Sequence, residues 1–478
     1  MSHANFTARI LDGHPAEAVA IIERSRTGER REWTFPAVRS RVEDLAAALH
    51  RLGLRPGDVV MTLVGNRPEW VFAMLAAFRQ GYVALPCSEQ LRAKDLRERL
   101  DAVEVAAVIA DPRNRAELDA AGPACPVVWT DELEPASPGP PPVAATAPDE
   151  PALMTFTSGT SGQPKCVVHA HRYLWGQSLQ AEHWMDVRSG DRVWCTAASG
   201  WSKSARNSFL APWLRGATAV LHDGRFDAEE RMQILEEERV DVLCMAPTEY
   251  RVIVNRDALR RPSDLRTCLA AGEALNAEIL RVWSDATGVA IRDGYGQTET
   301  GQITAMPVHA PVRSGSMGTP LPGVRAWVDD GELVVAPSTV PTFFLRYHGE
   351  PAPDASVWRT GDRVTQDEDG YLYFEGRTDD VIVSAGYRIG PFEVESALLE
   401  HPAVADVGVV PAPDDERGSI VRAVVVLRDG FDARPELARE LQDHVKTITA
   451  PYKYPRRVDF VDALPRTSSG KLRRRAIR

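Results

Sequence analysis

Helix-like and strand-like segments alternate along most of the chain. Residues 45–52 repeat apolar side chains with helical spacing, and residues 59–64 form an apolar run typical of a buried strand. The same order recurs at once, because a helix near 68–79, with Asn66 as its N-terminal cap, precedes a strand at 83–85. This alternation predicts βαβ units, and hence an α/β fold in which helices cover layered, mainly parallel sheets.

The pattern changes after residue 376, where the elements become shorter. The elements expected there are a strand at 381–383, a helix at 391–400, strands near 404–410 and 420–427, a helix at 434–447 and a strand near 457–460. A unit of about a hundred residues is long enough to bury its own core. We therefore predict a large N-terminal domain at 1–376, a boundary at 377–380 and a small α+β domain at 381–478.

Composition narrows the class of protein. Of the 478 residues, 44% are hydrophobic and 26% are charged, which excludes a disordered or fibrous chain. No apolar run approaches the ~20 residues of a membrane span, and residues 1–10 lack the basic start and apolar core of a signal peptide. The formal net charge of −11 argues against a general role on nucleic acid or on anionic membranes.

The cysteines indicate the redox environment of the protein. Six of them are scattered through apolar surroundings without paired spacing: Cys87, Cys125, Cys166, Cys195, Cys244 and Cys268. This distribution is typical of buried free thiols and not of a zinc site or a disulfide framework. We therefore expect a cytoplasmic protein.

Lysine is rare in this chain, which draws attention to the positions where it occurs. Of the 56 Lys and Arg residues, the lysines are Lys94, Lys165, Lys203, Lys446, Lys453 and Lys471. Lys165 and Lys471 lie in loops rich in Gly, Ser and Thr, where a compact ammonium suits a site that needs a point charge. We interpret Lys203, Lys446 and Lys453 as lysines that persist by chance.

A loop rich in Gly, Ser and Thr follows the strand expected at 152–156. Residues 157–165 read TSGTSGQPK, in which glycines let backbone amides turn inward, hydroxyls add donors and Lys165 neutralises charge. The loop therefore suits a polyphosphate. Its spacing matches neither a Walker A loop nor a dinucleotide-binding motif, and its composition alone fits a mobile surface loop equally well.

Three more segments place polar residues directly after a predicted strand. The predicted strands are 265–270, 289–291 and 358–360, and the polar segments that follow them are 271–274, 293–299 and 361–362, respectively. In open α/β sheets such strand ends face the ligand crevice. By residue type, Glu299 could bind Mg²⁺, Tyr295 could flank a base and Asp362 could accept hydrogen bonds from ribose. Each segment alone also fits an ordinary turn, and Asp362 a structural role.

Together these segments resemble the adenylate-forming superfamily, which includes acyl-CoA synthetases, firefly-luciferase-like enzymes and peptide-synthetase adenylation domains. The matching motifs are TFTSGTSGQPK (155–165), GYGQTE (294–299), GEL (331–333), RTGD (359–362), GRTDDVIVSAGYRIGPFEVE (376–395) and PRTSSGK (465–471). Residues 199–204 and 246–248 are most similar to medium-chain acyl-CoA synthetases. The resemblance implies that a carboxylic acid, ATP and CoA become acyl-CoA, AMP and pyrophosphate through an acyl-adenylate.

The resemblance also implies roles for individual residues in binding ATP. The residues implied for its pyrophosphate end are Thr157, Ser158, Gly159, Thr160, Ser161, Gly162 and Lys165. Those implied for adenine are Gly272, Glu273, Ala274, Asp293, Gly294 and Tyr295, and those for ribose are Asp362 and Arg377. Glu299 is implied as the Mg²⁺ ligand, Thr298 as a contact to the α-phosphate, and Lys471 as the catalytic cation between the carboxylate and that phosphate.

For CoA transfer, the resemblance implies that the C-terminal domain is mobile. It rotates about a hinge at Asp379 and brings Gly386 and Tyr387 to the site, where Gly386 leaves room for pantetheine. Acetyl- and propionyl-CoA synthetases usually have Trp where this chain has Gly296, so we expect an acyl pocket, with Trp201, for a medium-chain, aryl or other bulky acid.

Two other functions remain open on sequence grounds. One is an acyl-AMP ligase or adenylation enzyme that passes the acyl group to a carrier protein, and the other is a nucleotide-binding relative without turnover.

The basic stretch 471–478 fits a solvated tail or a contact to the phosphates of CoA. The N-terminal region is shorter than in most relatives, which leaves a homodimer and a monomer as alternatives.

Overall fold

The computed structural model describes most of the chain. The described residues are 5–135, 139–157, 165–256, 258–272, 277–354, 356–378, 380–384, 387–414, 417–466 and 472–477. The predicted site residues outside these ranges are Ser158, Gly159, Thr160, Ser161, Gly162, Glu273, Ala274, Asp379, Gly386 and Lys471. Their roles stay predictions.

Strands and helices occur throughout the described chain. The strands are β1 (Val19–Arg24), β2 (Arg30–Thr34), β3 (Val59–Leu63), β4 (Val83–Cys87), β5 (Val105–Ala110), β6 (Val127–Trp129), β7 (Pro151–Phe156), β8 (Cys166–Ala170), β9 (Arg192–Cys195), β10 (Thr218–His222), β11 (Val242–Met245), β12 (Thr267–Ala271), β13 (Ile291–Gln297), β14 (Gly301–Ala305), β15 (Thr319–Pro320), β16 (Ala326–Asp329), β17 (Glu332–Val335), β18 (Arg346–Tyr347), β19 (Trp358–Gln366), β20 (Leu372–Arg377), β21 (Ile382–Ser384), β22 (Tyr387–Ile389), β23 (Val404–Asp414), β24 (Gly418–Leu427) and β25 (Arg457–Phe460). The helices are α1 (Phe6–Asp12), α2 (Phe35–Arg51), α3 (Pro68–Arg79), α4 (Ala93–Ala102), α5 (Arg115–Ala121), α6 (His171–His183), α7 (Ser202–Ala205), α8 (Ala211–Leu214), α9 (Ala228–Glu237), α10 (Pro247–Asn255), α11 (Ala277–Thr287), α12 (Pro391–Leu399) and α13 (Pro435–Ile448).

Two large sheets make up most of the part before residue 320. In spatial order, the described strands of the first sheet are β2, β1, β10, β9, β11, β12, β13, β14 and β15, and those of the second are β6, β5, β3, β4, β7, β8 and β18. Neighbours from β1 to β13 in the first sheet and from β6 to β7 in the second are parallel. All residues of β3 and β4 are buried, as expected for parallel strands covered on both faces. The predicted mainly parallel α/β fold is confirmed.

Smaller sheets follow. Strands β16, β17, β19 and β20 form an antiparallel sheet. In another sheet β23 and β24 are antiparallel and β25 joins β24 in parallel, with α12 packed on β23 and α13 against α12. The core of the latter unit includes Val394, Leu398, Val409, Val425 and Leu441, all buried. The small C-terminal α+β unit is therefore present, while its exact boundary at 377–380 stays a prediction. No described helix combines the length and apolar character needed to cross a bilayer.

Two strands run further than the sequence pattern predicts. We expected strands that end before 293 and before 361, but β13 continues through Gln297 and β19 continues through Asp362. The antiparallel neighbours β14 and β20 supply hydrogen bonds to these polar residues, which local turn propensity does not reveal. Residues 293–297 and 361–362 therefore lie on strands and not in turns.

The expectation that Asn66 caps a helix is wrong. The cap position of α3 is Arg67, and no side chain caps this helix end. The amide of Asn66 instead donates to the carbonyl of Ala197 at 3.1 Å and accepts from the backbone N–H of Ser199 at 2.8 Å. Asn66 therefore fixes the loop that leads to Trp201.

Candidate active site

Strands β7 and β8 hold the two ends of the predicted phosphate loop. They pair as antiparallel neighbours up to Phe156 and Cys166. The backbone N–H of Thr157 donates to the carbonyl of Lys165 at 2.8 Å, which closes the loop at its base. Thr157 and Lys165 therefore lie side by side at the end of a buried strand pair.

Tyr347 on β18 connects Lys165 to Glu299. The ammonium of Lys165 lies 4.3 Å from the centroid of the Tyr347 ring, and the Tyr347 hydroxyl donates a hydrogen bond of 2.8 Å to Oε1 of Glu299. The short strand β18 reaches this place because it pairs with β8, where Tyr347 lies opposite Val167. Burial, reinforced by the Glu299 carboxylate, raises the pKa of Tyr347, so its hydroxyl stays protonated and remains a donor.

Thr298 and Glu299 lie in the turn between β13 and β14. The backbone N–H of Phe344 donates to the carbonyl of Glu299 at 2.8 Å and holds this turn against the segment that leads to β18. Within the described ranges, no three His, Cys, Asp or Glu side chains gather into a metal site. A single carboxylate beside a phosphate loop fits Mg²⁺ that takes its other ligands from phosphates and water.

Asp362 is buried and receives hydrogen bonds from β13. Its Oδ2 accepts from the hydroxyl of Tyr295 and, at 2.9 Å, from Nε2 of Gln297. Arg377 lies opposite Asp362 across β19 and β20, with Nη1 3.4 Å from Oδ1. Burial, with the Asp362 charge as the next cause, raises the pKa of Tyr295 above its usual range. The structure thus brings together the residues predicted for ribose and one predicted for adenine.

Gly272 directly follows the end of β12, which lies beside Asp293 and Gly294 in the middle of β13. Ala271 lies opposite Gly294, and Gly272 follows with a φ of +95°, which favours glycine. The backbone N–H of Gly294 donates to Oδ1 of Asp293 at 2.8 Å. Burial raises the pKa of Asp293 to about 7, although this hydrogen bond opposes the shift. Gly272 therefore lies beside the strand that carries the other described residues predicted for adenine.

Lys203 reaches the same strand end from α7. Its ammonium donates to the carbonyl of Ala271 at 3.2 Å, directly before Gly272. Trp201 precedes α7 and is partly buried against the core of the first sheet. Lys203, which we interpreted as a lysine that persists by chance, therefore lies at the candidate site.

The structure offers its own reason for glycine at position 296. A Cβ there would lie 1.9 Å from the carbonyl oxygen of Gly301 on β14. Any larger residue must therefore displace one of the two strands. The place of Gly296 in an acyl pocket stays a prediction, and a Trp substitution would disturb the backbone before it filled a pocket.

Tyr387, predicted to contact pantetheine, is exposed. Its exposed fraction is 53%, and its ring stacks on that of Tyr452 with the centroids 4.4 Å apart. The structure does not bring Tyr387 into hydrogen-bonding contact with the other described site residues.

Asp406 connects the C-terminal unit to the larger part. One of its oxygens lies 3.7 Å from Arg251 of α10, and both accept hydrogen bonds from Arg466, at 2.6 and 2.8 Å. Arg466 directly precedes the loop that carries Lys471. The base of this loop is thus tied to the larger part of the protein.

Our sequence reasoning missed Tyr347 and Gln297. Gln297 lies between Tyr295 and Glu299 in the GYGQTE motif, so its position was a usable signal. Its amide also donates to the carbonyl of Thr360 at 2.7 Å. Tyr347 has no local signal, because it lies in a two-residue strand 48 positions after Glu299.

Two family models match the chain. The model for the AMP-binding enzyme covers residues 8–341, and the model for the AMP-binding enzyme C-terminal domain covers residues 393–471. The chain belongs to the AMP-binding enzyme family. The resemblance to adenylate-forming enzymes is thereby confirmed.

Individual relatives cover nearly the whole chain. The chain is 38% identical to the uncharacterized acyl-CoA ligase YtcI of Bacillus subtilis (strain 168), over 97% of this chain and 93% of that protein. It is 37% identical to the mitochondrial acyl-coenzyme A synthetase ACSM4 of Rattus norvegicus, over 99% of this chain and 90% of that protein.

Solved structures agree with these relatives. The anthranilate CoA ligase AuaEII in complex with anthranoyl-AMP superposes with a TM-score of 0.89 at 26% identity, over 100% of this chain and 98% of that chain. A benzoate CoA ligase from Burkholderia xenovorans LB400 superposes with a TM-score of 0.87 at 28% identity, over 99% of this chain and 100% of that chain. The chain is an AMP-forming acid–thiol ligase that makes acyl-CoA with ATP through an acyl-adenylate, and transfer to a carrier protein is not favoured.

Proposed function

We propose that this ligase activates a medium-chain, aryl or other bulky carboxylic acid and binds Mg²⁺ through Glu299. The observation that carries the proposal is the placement of Lys165 and Glu299 around Tyr347 at the base of the phosphate loop. The ammonium suits phosphate oxygens, and the carboxylate suits a cation held between phosphates. Two structural relatives are named for anthranilate and benzoate, which supports an aryl or similarly bulky acid.

The first half-reaction joins two anions, the carboxylate of the acid and the α-phosphate of ATP. The protein must therefore supply positive charge and alignment more than acid or base groups. Lys165 neutralises the pyrophosphate end, Thr298 contacts the α-phosphate and Lys471 contacts both reacting anions. Asp362 and Arg377 hold the ribose. The adenine pocket consists of Gly272, Glu273, Ala274, Asp293, Gly294 and Tyr295.

Glu299 would hold Mg²⁺, and the bound ion would neutralise negative charge on the phosphates. The hydrogen bond from Tyr347 orients the Glu299 carboxylate toward the loop end.

Trp201 and Gly296 contribute to the acyl pocket. The acyl pocket therefore selects the acid and positions its carboxylate.

The second half-reaction requires the thiol of CoA to reach the same carbonyl carbon. Rotation about Asp379 removes Lys471 and brings Gly386 and Tyr387 to the site, where they bind pantetheine. The exposed position of Tyr387 is compatible with such a role. The contact between Arg251 and Asp406 breaks in this rotation.

The test separates the two half-reactions. AMP release is measured with a panel of carboxylic acids, with and without CoA, and we expect CoA-dependent turnover with bulky acids. Lys471→Ala should lower acyl-AMP formation by about 10²- to 10³-fold, as expected when one preorganised charge is removed. CoA transfer from supplied acyl-AMP should survive in this variant.

Lys446→Ala is the matched control, because Lys446 lies on α13 and pairs with the exposed Asp443. Equal loss of both half-reactions in the Lys471 variant would refute the division of labour. Absence of AMP release with every acid would refute the proposed activity on bulky acids.

The cysteines support a reducing, cytoplasmic location within this proposal. All six are free thiols in the structure, and five of them are buried. Burial raises the pKa of the Cys87 thiol to about 11, which keeps it unreactive.

A further inference from the structure

The described residues 472–477 are held against the small α+β unit by several contacts. The side chains of Leu472 and Ile477 pack on the backbone of Gly408 in β23, where a Cβ would lie 2.8 and 2.7 Å from them, respectively. The carbonyl of Ile477 accepts a hydrogen bond of 2.8 Å from Nη1 of Arg422 on β24. Glycine at position 408 therefore leaves the space that both apolar side chains fill.

Arg474 makes a charged contact in the same place. Its Nη2 donates to both carboxylate oxygens of Glu395 on α12, each at 2.6 Å. Glu395 is 7% exposed and also accepts from the backbone N–H of Val409 at 2.8 Å. Hydrogen bonds between charged groups are shorter and stronger than those between neutral groups, and a buried carboxylate requires such a partner. Arg474 is therefore bound inside the protein, unlike a residue of a solvated tail.

This anchored segment begins one residue after Lys471. Leu472 pairs with Arg466 as an isolated antiparallel bridge, and the backbone N–H of Arg473 donates to the carbonyl of Pro465 at 2.9 Å. These bonds close the loop that carries Lys471. The two ends of the loop are thus fixed to each other.

The two ends of the loop are also anchored to different elements of the unit. Arg466 is held by Asp406 of β23, at 2.6 and 2.8 Å, and Arg474 is held by Glu395 of α12. Helix α12 packs on β23 in the hydrophobic core of the unit. A change at Arg474 therefore releases one anchor of the loop while the other stays in place.

We propose that Arg474 is a positioning residue for Lys471 in acyl-AMP formation and acts through its ion pair with Glu395. This inference rests on the proposed function, because it concerns the lysine that we assign to the first half-reaction. A catalytic charge must be held in the geometry of the transition state, and a displacement of about 1 Å can lower the rate about 10²-fold. The second half-reaction does not use Lys471, so it does not depend on this position.

The test measures the two half-reactions separately in Arg474→Met. Acyl-AMP formation is followed by ATP–pyrophosphate exchange with benzoate and with octanoate, and transfer by thioester formation from CoA and supplied benzoyl-AMP or octanoyl-AMP. We expect the kcat of exchange to fall about 10- to 100-fold with little change in the KM for ATP, because the lost alignment acts in the transition state. Thioester formation should stay within about twofold of the wild type.

A double variant tests whether Arg474 acts through Lys471. The combination of Lys471→Ala and Arg474→Met should be no slower in exchange than Lys471→Ala alone, since a positioning residue has no effect once the lysine is gone. Losses that multiply in the double variant would overturn the inference. The matched control is Arg457→Met, which removes an ion pair of 3.0 Å with Asp459 on β25 of the same unit and should behave like the wild type in both half-reactions.

Arg474→Lys keeps a positive charge beside the buried carboxylate of Glu395, so it separates positioning from a folding defect. Its exchange rate should lie between those of Arg474→Met and the wild type, with unchanged thioester formation. If the melting curve of Arg474→Met shows that it does not fold, Arg474→Lys is decisive. Slower exchange with unchanged thioester formation then supports the inference, and any other result overturns it.

Each contrary outcome has a distinct meaning. Equal loss of both half-reactions in a folded Arg474→Met overturns the inference, because Arg474 would then only stabilise the unit. Unchanged exchange in Arg474→Met, with exchange lost in Lys471→Ala, also overturns it and leaves the proposed function intact. Unchanged exchange in Lys471→Ala, or absence of AMP release with every acid, would instead refute the proposed function.

Discussion

Replacing Tyr347 by phenylalanine removes one hydroxyl and leaves the ring beside Lys165. The lost interaction is the hydrogen bond of 2.8 Å to Oε1 of Glu299. Hydrogen bonds to charged groups contribute about 1.5–3 kcal/mol, and the partial exposure of Glu299 favours the lower end. A loss of about 1.4 kcal/mol corresponds to a tenfold change. We therefore expect kcat/KM for Mg²⁺–ATP to fall about tenfold in Tyr347→Phe.

The ring should matter separately from the hydroxyl. The ammonium of Lys165 lies 4.3 Å from the ring centroid, and its ion pair with Glu350, at 3.5 Å, is exposed and therefore weak. An exposed cation–π contact contributes about 0.5–1 kcal/mol. The kcat/KM of Tyr347→Leu for Mg²⁺–ATP should accordingly be about two- to fivefold lower than that of Tyr347→Phe, which corresponds to this energy.

The assay is ATP–pyrophosphate exchange at several Mg²⁺ concentrations. Excess Mg²⁺ should partly restore Tyr347→Phe, because the variant weakens a carboxylate ligand. Tyr373→Phe is the matched control, since the hydroxyl of Tyr373 also donates to a carboxylate, that of Asp367, at 3.1 Å but outside the site. Activity of Tyr347→Phe within twofold of the wild type at all Mg²⁺ concentrations, or equal loss in Tyr373→Phe, would refute the reasoning.

Three further predictions follow from the same structure. Asp362→Asn loses the ion pair with Arg377 and should lower kcat/KM for ATP at least tenfold in pyrophosphate exchange; an unchanged value would indicate a structural role only. Gly296→Ala places a Cβ against the carbonyl of Gly301 and should destabilise the fold by about 1–3 kcal/mol, measured as a lower melting temperature. An unchanged melting temperature would contradict the close approach of Gly296 to Gly301. Burial lowers the pKa of His169 to about 3 in the folded protein. The contribution of neutral His169 to the free energy of unfolding is therefore fully present above pH ~6.5. It is lost as the pH falls below that value, by up to about 1.4 kcal/mol per pH unit. His169→Gln should therefore flatten the decline of the melting temperature between about pH 6.5 and 4.5. An unchanged slope would show that the folded protein does not hold the pKa of His169 below its unfolded value.

Local pattern predicted the elements of the fold well where neighbours in sequence determine them. The apolar runs at 59–64 and 83–85 correspond to β3 and β4, because strands buried on both faces must be apolar throughout. The strand ends at 293 and 361 were misplaced, because the pairing of β13 with β14 and of β19 with β20 is not visible in local sequence. Polar residues in a strand look like a turn until the partner strand is known.

The same distinction applies to the site. Lys165, Glu299 and Asp362 were predicted because glycines, hydroxyls and charges recur at characteristic spacings. Tyr347 was not, since its contact with Glu299 spans 48 positions and depends on β18 pairing with β8.

By itself, the amino-acid sequence determined which chemical groups are present and the order of helices and strands, because these depend on residue type and short-range spacing. It therefore indicated phosphate binding and the adenylate-forming resemblance. Only the tertiary structure decided that Tyr347 joins Lys165 to Glu299, and that Asp362 accepts hydrogen bonds from Tyr295 and Gln297. Such facts depend on which distant segments meet, and strand pairing and packing determine those meetings.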